Sequence, residues 1–173
     1  MNHPMPPLAV VDDSLLLAVI HSSNVPLLLI DDTLKVIAAS DSFGRAYELN
    51  SAMMEGRGLT ELGAGEWNVP QLQSLLIATA QGHAKIDAYE MDLKRAGQAN
   101  RRLVVNAQKL VHSDAGGVRL LLTIMDVTDA RVAEKLKDDL LHEKGVLLQE
   151  LQHRVANSLQ IIASVLMQSA RRT

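Results

Sequence analysis

The chain contains no cysteine. Disulfides, thiolate nucleophiles and cysteine-ligated metal sites are therefore excluded. Aromatic residues are few: Phe43, Tyr47, Trp67 and Tyr89 are all of them, and none lies beyond Tyr89. Long apolar runs are missing too. The longest, such as Leu15 to Ile20, is about a third of what a membrane span needs. Charge of one sign is never concentrated, and the net charge is −3. A nucleic-acid-binding surface and a polybasic membrane patch are thereby excluded. The start, Met1 to Pro7, lacks the charged region and apolar stretch of a signal peptide. Together these absences predict a cytoplasmic protein with no membrane span and no nucleic-acid partner.

What is present is enough apolar side chain to form a core, 47% of 173 residues. That length suits one domain and an appendage. Composition changes along the chain. The first ninety residues mix aromatics, Gly and Pro, while the remainder is rich in Leu, Val, Lys, Glu and Gln, and from Thr128 onward Gly145 is the only Gly or Pro. The pattern predicts a globular part followed by a long helix.

In the globular part, residues 13–22 read as a short helix with Asp13 or Asp12 as its cap. Residues 25–31 and 34–39 read as a strand pair turning at Asp31-Asp32. Ser40 to Asn50 reads as a helix. Gly56, Gly58, Gly63 and Gly65 mark a loop, and Pro70 opens a helix that Gly82 is placed to stop. Three strands follow, over 85–94, 101–112 and 118–127, with turns near Gly97-Gln98 and at Asp114 to Gly117. In the first of these, strict alternation sets Ile86, Ala88, Glu90 and Asp92 on one face and Asp87, Tyr89, Met91 and Leu93 on the other. Strand pairs and triplets separated by helices predict an antiparallel α+β domain, because parallel strands need a crossover after each one.

From Thr128 the chain reads as a helix of more than forty residues, loosened near Gly145. On a wheel with about 100° per residue, Leu136, Leu140, Leu147, Val155, Leu159, Ile162, Val165 and Leu166 lie within roughly 80° of Leu151. A lone helix with such a seam is marginal in water. A second copy is the expected partner, forming a parallel coiled-coil homodimer. Runs of four (147, 151, 155, 159) interrupt the heptad spacing and locally unwind the supercoil. His153 lies about 200° from Leu151, opposite the seam. Gln149, Glu150, Ala156, Asn157 and Gln160 share its polar face. Position alone favours an ordinary surface histidine and permits a reactive one.

The stretch Leu147 to Gln168, LLQELQHRVANSLQIIASVLMQ, resembles the phosphoacceptor helix of a bacterial histidine-kinase family, L-L-x-E-I/L-x-H-R-V-K-N-N-L-Q. Leu147, Leu148, Glu150, His153, Arg154, Val155, Asn157, Leu159 and Gln160 carry the likeness, with Ile162, Ser164 and Gln168 beyond. The resemblance implies that His153 is phosphorylated on a ring nitrogen by an ATP-binding domain and passes the phosphoryl group to an aspartate of a response regulator. An imidazole that titrates near pH ~6.5 offers a neutral nucleophilic nitrogen. Glu150, one turn before, is placed to orient the ring or take its proton. Arg154 is placed to offset phosphate charge, and Asn157 to hydrogen-bond the ring or the phosphoryl group. Two positions depart from the family: Ala156 stands where Lys is usual and Ser158 where a second Asn is usual. The first removes a positive charge beside the acceptor; the second concerns packing on the seam side.

The front part, over roughly 15–131, resembles PAS domains, through GEWNVPQLQSLL (Gly65 to Leu76), RRLVVNAQKL (Arg101 to Leu110) and LLLTIMDVTDAR (Leu120 to Arg131). The resemblance implies a five-stranded antiparallel sheet with flanking helices. It also implies that Asp126-Val127-Thr128, like the D-I/V-T motif of such domains, closes the sheet and begins the output helix. Asp126 and Thr128 are the candidate residues for signal transmission and for capping that helix. No cofactor is evident. Flavin-adduct sensors need a reactive cysteine, His21, His83 and His112 stand in no haem-binding context, and Trp67 reads as core rather than as a stacking surface. The expected organisation is a tail over 1–12, a PAS sensory domain over 13–127, a coiled-coil linker over 128–146 and the start of a dimerisation and phosphoacceptor domain over 147–173. No nucleotide lid and no Asn-box pattern is found, so ATP is expected to act only through a domain outside this sequence, and the chain is read as part of a longer kinase. The competing readings are a non-catalytic PAS coiled-coil protein that binds a kinase or response regulator, and a structural dimer whose histidine is idle.

Overall fold

The computed structural model describes residues 13–111 and 117–172. The chain divides into two units, one ending at Thr128 and the other beginning at Asp129.

The first unit is built on a five-stranded sheet: β1 (Leu27–Asp31), β2 (Val36–Ala39), β3 (Ile86–Leu93), β4 (Arg101–Val111) and β5 (Val118–Asp126). The order across the sheet is β2-β1-β5-β4-β3 and every pairing is antiparallel, as expected. Its longest ladder runs from Leu103↔Asp126 to Val111↔Val118. The strand pairs form because each places Leu, Ile or Val at alternate positions against one buried layer. The expected turn over 114–116, together with His112 and the tail over 1–12, lies outside the described residues.

Helices fill the interval between β2 and β3. Ser40 caps α2 (Asp41–Tyr47): its hydroxyl accepts from the Phe43 N–H at 3.1 Å. The single helix expected over 40–50 is in fact two. Glu48 takes a left-handed conformation at φ 56° and ends α2, and Asn50 caps the short α3 (Ser51–Met54). A single 3-10 turn at Leu59–Glu61 follows, then α4 (Pro70–Ala80). Gly82 ends α4 at φ +80°, with its N–H on the Thr79 carbonyl at 3.0 Å and the His83 N–H on the Ala78 carbonyl at 2.9 Å. That positive φ is a conformation glycine adopts without strain.

The core lies between one sheet face and α2, α3 and α4, with Leu28, Ile30, Phe43, Tyr47, Trp67, Leu72, Leu76, Leu93, Leu103, Val105, Leu122 and Ile124 buried in it. The opposite face of β1 and β2 is covered by α1 (Asp13–Ser22), whose Ile20 packs with Leu29 and Ala38. Asp13, expected as a cap, is the first helical residue, and its carboxylate receives both guanidinium nitrogens of Arg119, at 2.8 and 3.0 Å. The free edge of β2 is met by the loop after α3: the Val36 N–H reaches Arg57 O at 2.9 Å and the Gly56 N–H reaches Val36 O at 2.7 Å. Covering an edge in this way removes a template for pairing with another chain.

Strict alternation in β3 fails at one place. Ile86 is buried on the same side as Met91 and Leu93, not opposite them. The register slips between Ile86 and Tyr89, where Ala88 adopts φ 54°. An extra residue in one strand reverses the sidedness beyond it. The Asn106 side-chain oxygen Oδ1 holds this bulge from β4, accepting the Ala88 N–H at 2.6 Å.

The second unit is a continuation of α5 (Thr128–Arg171), a helix of 44 residues. It passes through Gly145 without a break. Every described residue from Ala130 to Arg172 is exposed, so the apolar seam and the polar face are equally uncovered.

Candidate functional site

The root of α5 is tied to the sheet by a small set of bonds. The Asp126 carboxylate accepts from the Thr128 N–H at 3.0 Å and from the Thr128 hydroxyl at 2.5 Å. An oxygen on Asp126 thus serves one of the N–H groups that a helix start leaves without a partner. The Thr128 hydroxyl itself faces the sheet and accepts from the Arg102 N–H at 2.9 Å. The Val127 N–H completes the attachment on Arg102 O at 2.8 Å. Asp126 is therefore the capping side chain, and Thr128 a bridge from β4 to β5.

Farther along α5, His153 stands exposed with Glu150, Arg154 and Asn157. Glu150 and Arg154, four residues apart, are joined: Arg154 Nη2 donates to Glu150 Oε1 at 2.5 Å. Neighbours at this spacing face each other on a helix surface. The expected contact from Glu150 to the His153 ring is absent here; the Glu150 carboxylate is engaged by Arg154 instead. Among the described residues no hydrogen bond reaches the His153 ring. Small side chains lie near this face; Ser164 folds its hydroxyl back onto the Gln160 carbonyl at 3.0 Å.

In the first unit two further groups of side chains stand out. One is the buried aromatic set. Phe43 and Trp67 have ring centroids 5.4 Å apart, and Tyr47 meets Trp67 edge-on at 5.2 Å. Trp67 is 1% exposed and belongs to the core, as expected; its indole Nε1 is buried without a hydrogen-bond partner. The other group lines a surface cleft of about 560 Å³ between the Gly63–Glu66 loop and the turn after β3. Arg95 bridges it, with Nη2 3.1 Å from Glu48 and Nε 3.4 Å from Glu66. Gln98 donates to Glu48 at 3.2 Å. Bonds from Gln98 and Arg95, and the charge of Arg95, hold the Glu48 carboxyl below its ordinary range. Two carboxylates of this cleft thus share the one guanidinium of Arg95. Of the histidines considered for haem, His21 Nε2 lies 3.8 Å from Glu55. Among the described residues no cluster of three or more His, Asp or Glu is arranged to hold a metal ion.

Sequence reasoning missed Arg101 and Arg102, which begin β4 beside Asp126 and Thr128. A signal was present: two adjacent arginines open a strand in register with the acidic end of β5.

Searches of solved structures bear directly on the sheet and helices just described. The PAS domain of BvgS from Bordetella pertussis superposes with a TM-score of 0.54 at 15% identity, over 73% of this chain and 96% of that one. A LOV protein from Rhodobacter sphaeroides superposes with a TM-score of 0.50 at 18% identity, over 64% of each chain. The first unit has the PAS fold. No family model matches the chain, and no curated protein matches it in sequence. The first unit ends at Thr128. No helix among the described residues is long and apolar enough to cross a membrane.

Proposed function

We propose that this chain is the sensory and phosphoacceptor portion of a cytoplasmic two-component histidine kinase, with His153 as the phosphorylated residue. The observation that carries the reading is one of placement. A helix that begins on the last strand of a PAS unit runs unbroken to His153 and presents it with Glu150, Arg154 and Asn157 in the order of an acceptor helix. In the proposed reaction a neutral ring nitrogen of His153 attacks the γ-phosphorus of ATP. The bond to the ADP oxygen breaks, and the proton on the other ring nitrogen leaves to a carboxylate. Glu150 is that carboxylate, once Arg154 turns from it toward the incoming phosphate. The phosphoryl group then moves to an aspartate of a response regulator. The ATP-binding domain acts from outside this sequence. The apolar seam pairs two copies in parallel, which sets two acceptor histidines on the outside of the pair.

The test supplies an ATP-binding domain of this acceptor family in trans. The chain is expected to take up acid-labile label from γ-labelled ATP only when that domain is present, and His153→Ala to take up none. Equal labelling of both proteins, or labelling of the chain with ATP alone, contradicts the proposal.

A further inference from the structure

The first residues of β4 gather more of the PAS unit than a strand start requires. Arg101 Nη1 donates to the Ala46 carbonyl at 2.6 Å. That carbonyl belongs to the last turn of α2, where carbonyls have no partner within the helix. The Arg101 guanidinium carbon lies 5.8 Å from the centroid of the Tyr47 ring. Its Nε lies 3.9 Å from Asp126 Oδ2. The opposite oxygen of Asp126, Oδ1, holds the Thr128 N–H and hydroxyl. One side chain therefore meets the end of α2, a core aromatic and the residue that caps α5.

Toward the interior the chain of contacts continues. Tyr47 is 1% exposed and packs on Phe43 at 4.8 Å and on Trp67 at 5.2 Å. Burial, reinforced by the charge of Asp126 and opposed by that of Arg101, raises the Tyr47 ionisation far above its ordinary range. Tyr47 is thus a neutral ring beside a charged pair.

We propose that Arg101 is a positioning residue that couples the packing of the Phe43, Tyr47 and Trp67 rings to the attachment of α5 at Thr128. The guanidinium is planar and its donors are fixed in a fork. A shift of the end of α2 or of the Tyr47 ring carries the fork with it and changes its distance to Asp126. Asp126 cannot move without loosening the bonds it makes to Thr128. A packed, contiguous network of this kind is a physical route, and it counts as one only if coupling is measured along it. The proposal adds residues and a direction to the sensory reading above and rests on that reading for its use. Its test reads backbone exchange and involves no phosphorylation, so it fails or stands separately from the assignment of His153.

The test is a double-mutant cycle on the full chain, read by hydrogen exchange. Trp67→Phe loosens the aromatic set. In the wild-type background it is expected to speed exchange at the Val127 and Thr128 amides about five-fold beyond any change at Val105 and Ile124. Arg101→Met is expected to speed exchange at Val127 and Thr128 by itself and to abolish the extra effect of Trp67→Phe. Arg101→Lys keeps charge and stem without the fork; it is expected to abolish the extra effect as well and serves if the Met variant does not fold. Phe43→Leu replaces Trp67→Phe on the same terms. Additive effects, with the extra acceleration persisting in either Arg101 variant, overturn the proposal.

Discussion

Asp31 shows how much one side chain can decide. Its Oδ1 accepts from the Thr33 N–H at 2.8 Å, the Thr33 hydroxyl at 2.7 Å and the Lys35 N–H at 2.9 Å, closing the turn from β1 to β2. Burial raises its pKa, but the bonds from Thr33 and Lys35 and the Lys35 charge together outweigh it, and the net shift is downward. The folded state therefore binds this proton less tightly than the unfolded chain. The resulting stability is present above the ordinary carboxylate range and lost as pH falls through the folded value. The residue is only partly buried, so solvent screens part of this pH-dependent contribution. Asp31→Ala is expected to lower stability by about 1–2 kcal/mol near neutrality, and to flatten the acid limb of the urea midpoint plotted against pH. A second residue-scale prediction concerns Gly63, at φ +64°, where an added Cβ would collide with the Glu66 carboxylate. Glu66 is held by the Ala64 N–H at 2.6 Å and by Arg95. Gly63→Ala is expected to cost about 1–3 kcal/mol, measurable as a shift of the urea midpoint, whereas Gly97→Ala, with positive φ but open space, should cost less. The Asp31 turn was legible in the sequence because Asx turns are local. The left-handed Leu34 within it, at φ 63° and buried, was not, because its strain is offset by core packing that no local pattern announces.

At the scale of elements, the strands and longer helices were legible wherever periodicity or a local cap defined them. The misses share a cause. The division of α2 from α3 at Glu48 is stabilised by Arg95 and Gln98 from the turn between β3 and β4, and the reversal in β3 is held by Asn106. Both are long-range bonds, invisible to a window of neighbouring residues. For α5 the wheel separates a seam from a histidine face, and a prediction follows. Leu147, Leu151, Leu159 and Ile162 are exposed in the single chain. If they are the dimer seam, Leu151→Lys with Leu159→Lys is expected to turn a dimer into a monomer in sedimentation at micromolar concentration and to reduce helical ellipticity, since an isolated helix of this kind is marginal. His153→Ala, on the other side, should leave both unchanged.

The whole molecule combines a packed PAS unit with a helix that has no core of its own. Residues 13–128 expressed alone are expected to keep, while folded, the Trp67 emission of the full chain and to unfold cooperatively, whereas residues 129–173 alone should lose helix on dilution. The division of labour was legible from composition, because every aromatic lies before residue 90 and from Thr128 onward Gly145 is the only Gly or Pro. The candidate acceptor was legible only through its motif: geometry leaves His153 on a polar face, as it leaves His142, which lies three turns earlier on nearly the same side. That pair also supplies the most direct measurement. After phosphorylation in trans, fragment-ion mass spectrometry under conditions that preserve phosphohistidine can locate the group among the six histidines of the chain. The account predicts phosphate on His153 and none on His142; phosphate on His142, or spread across several histidines with His153 unoccupied, would contradict it.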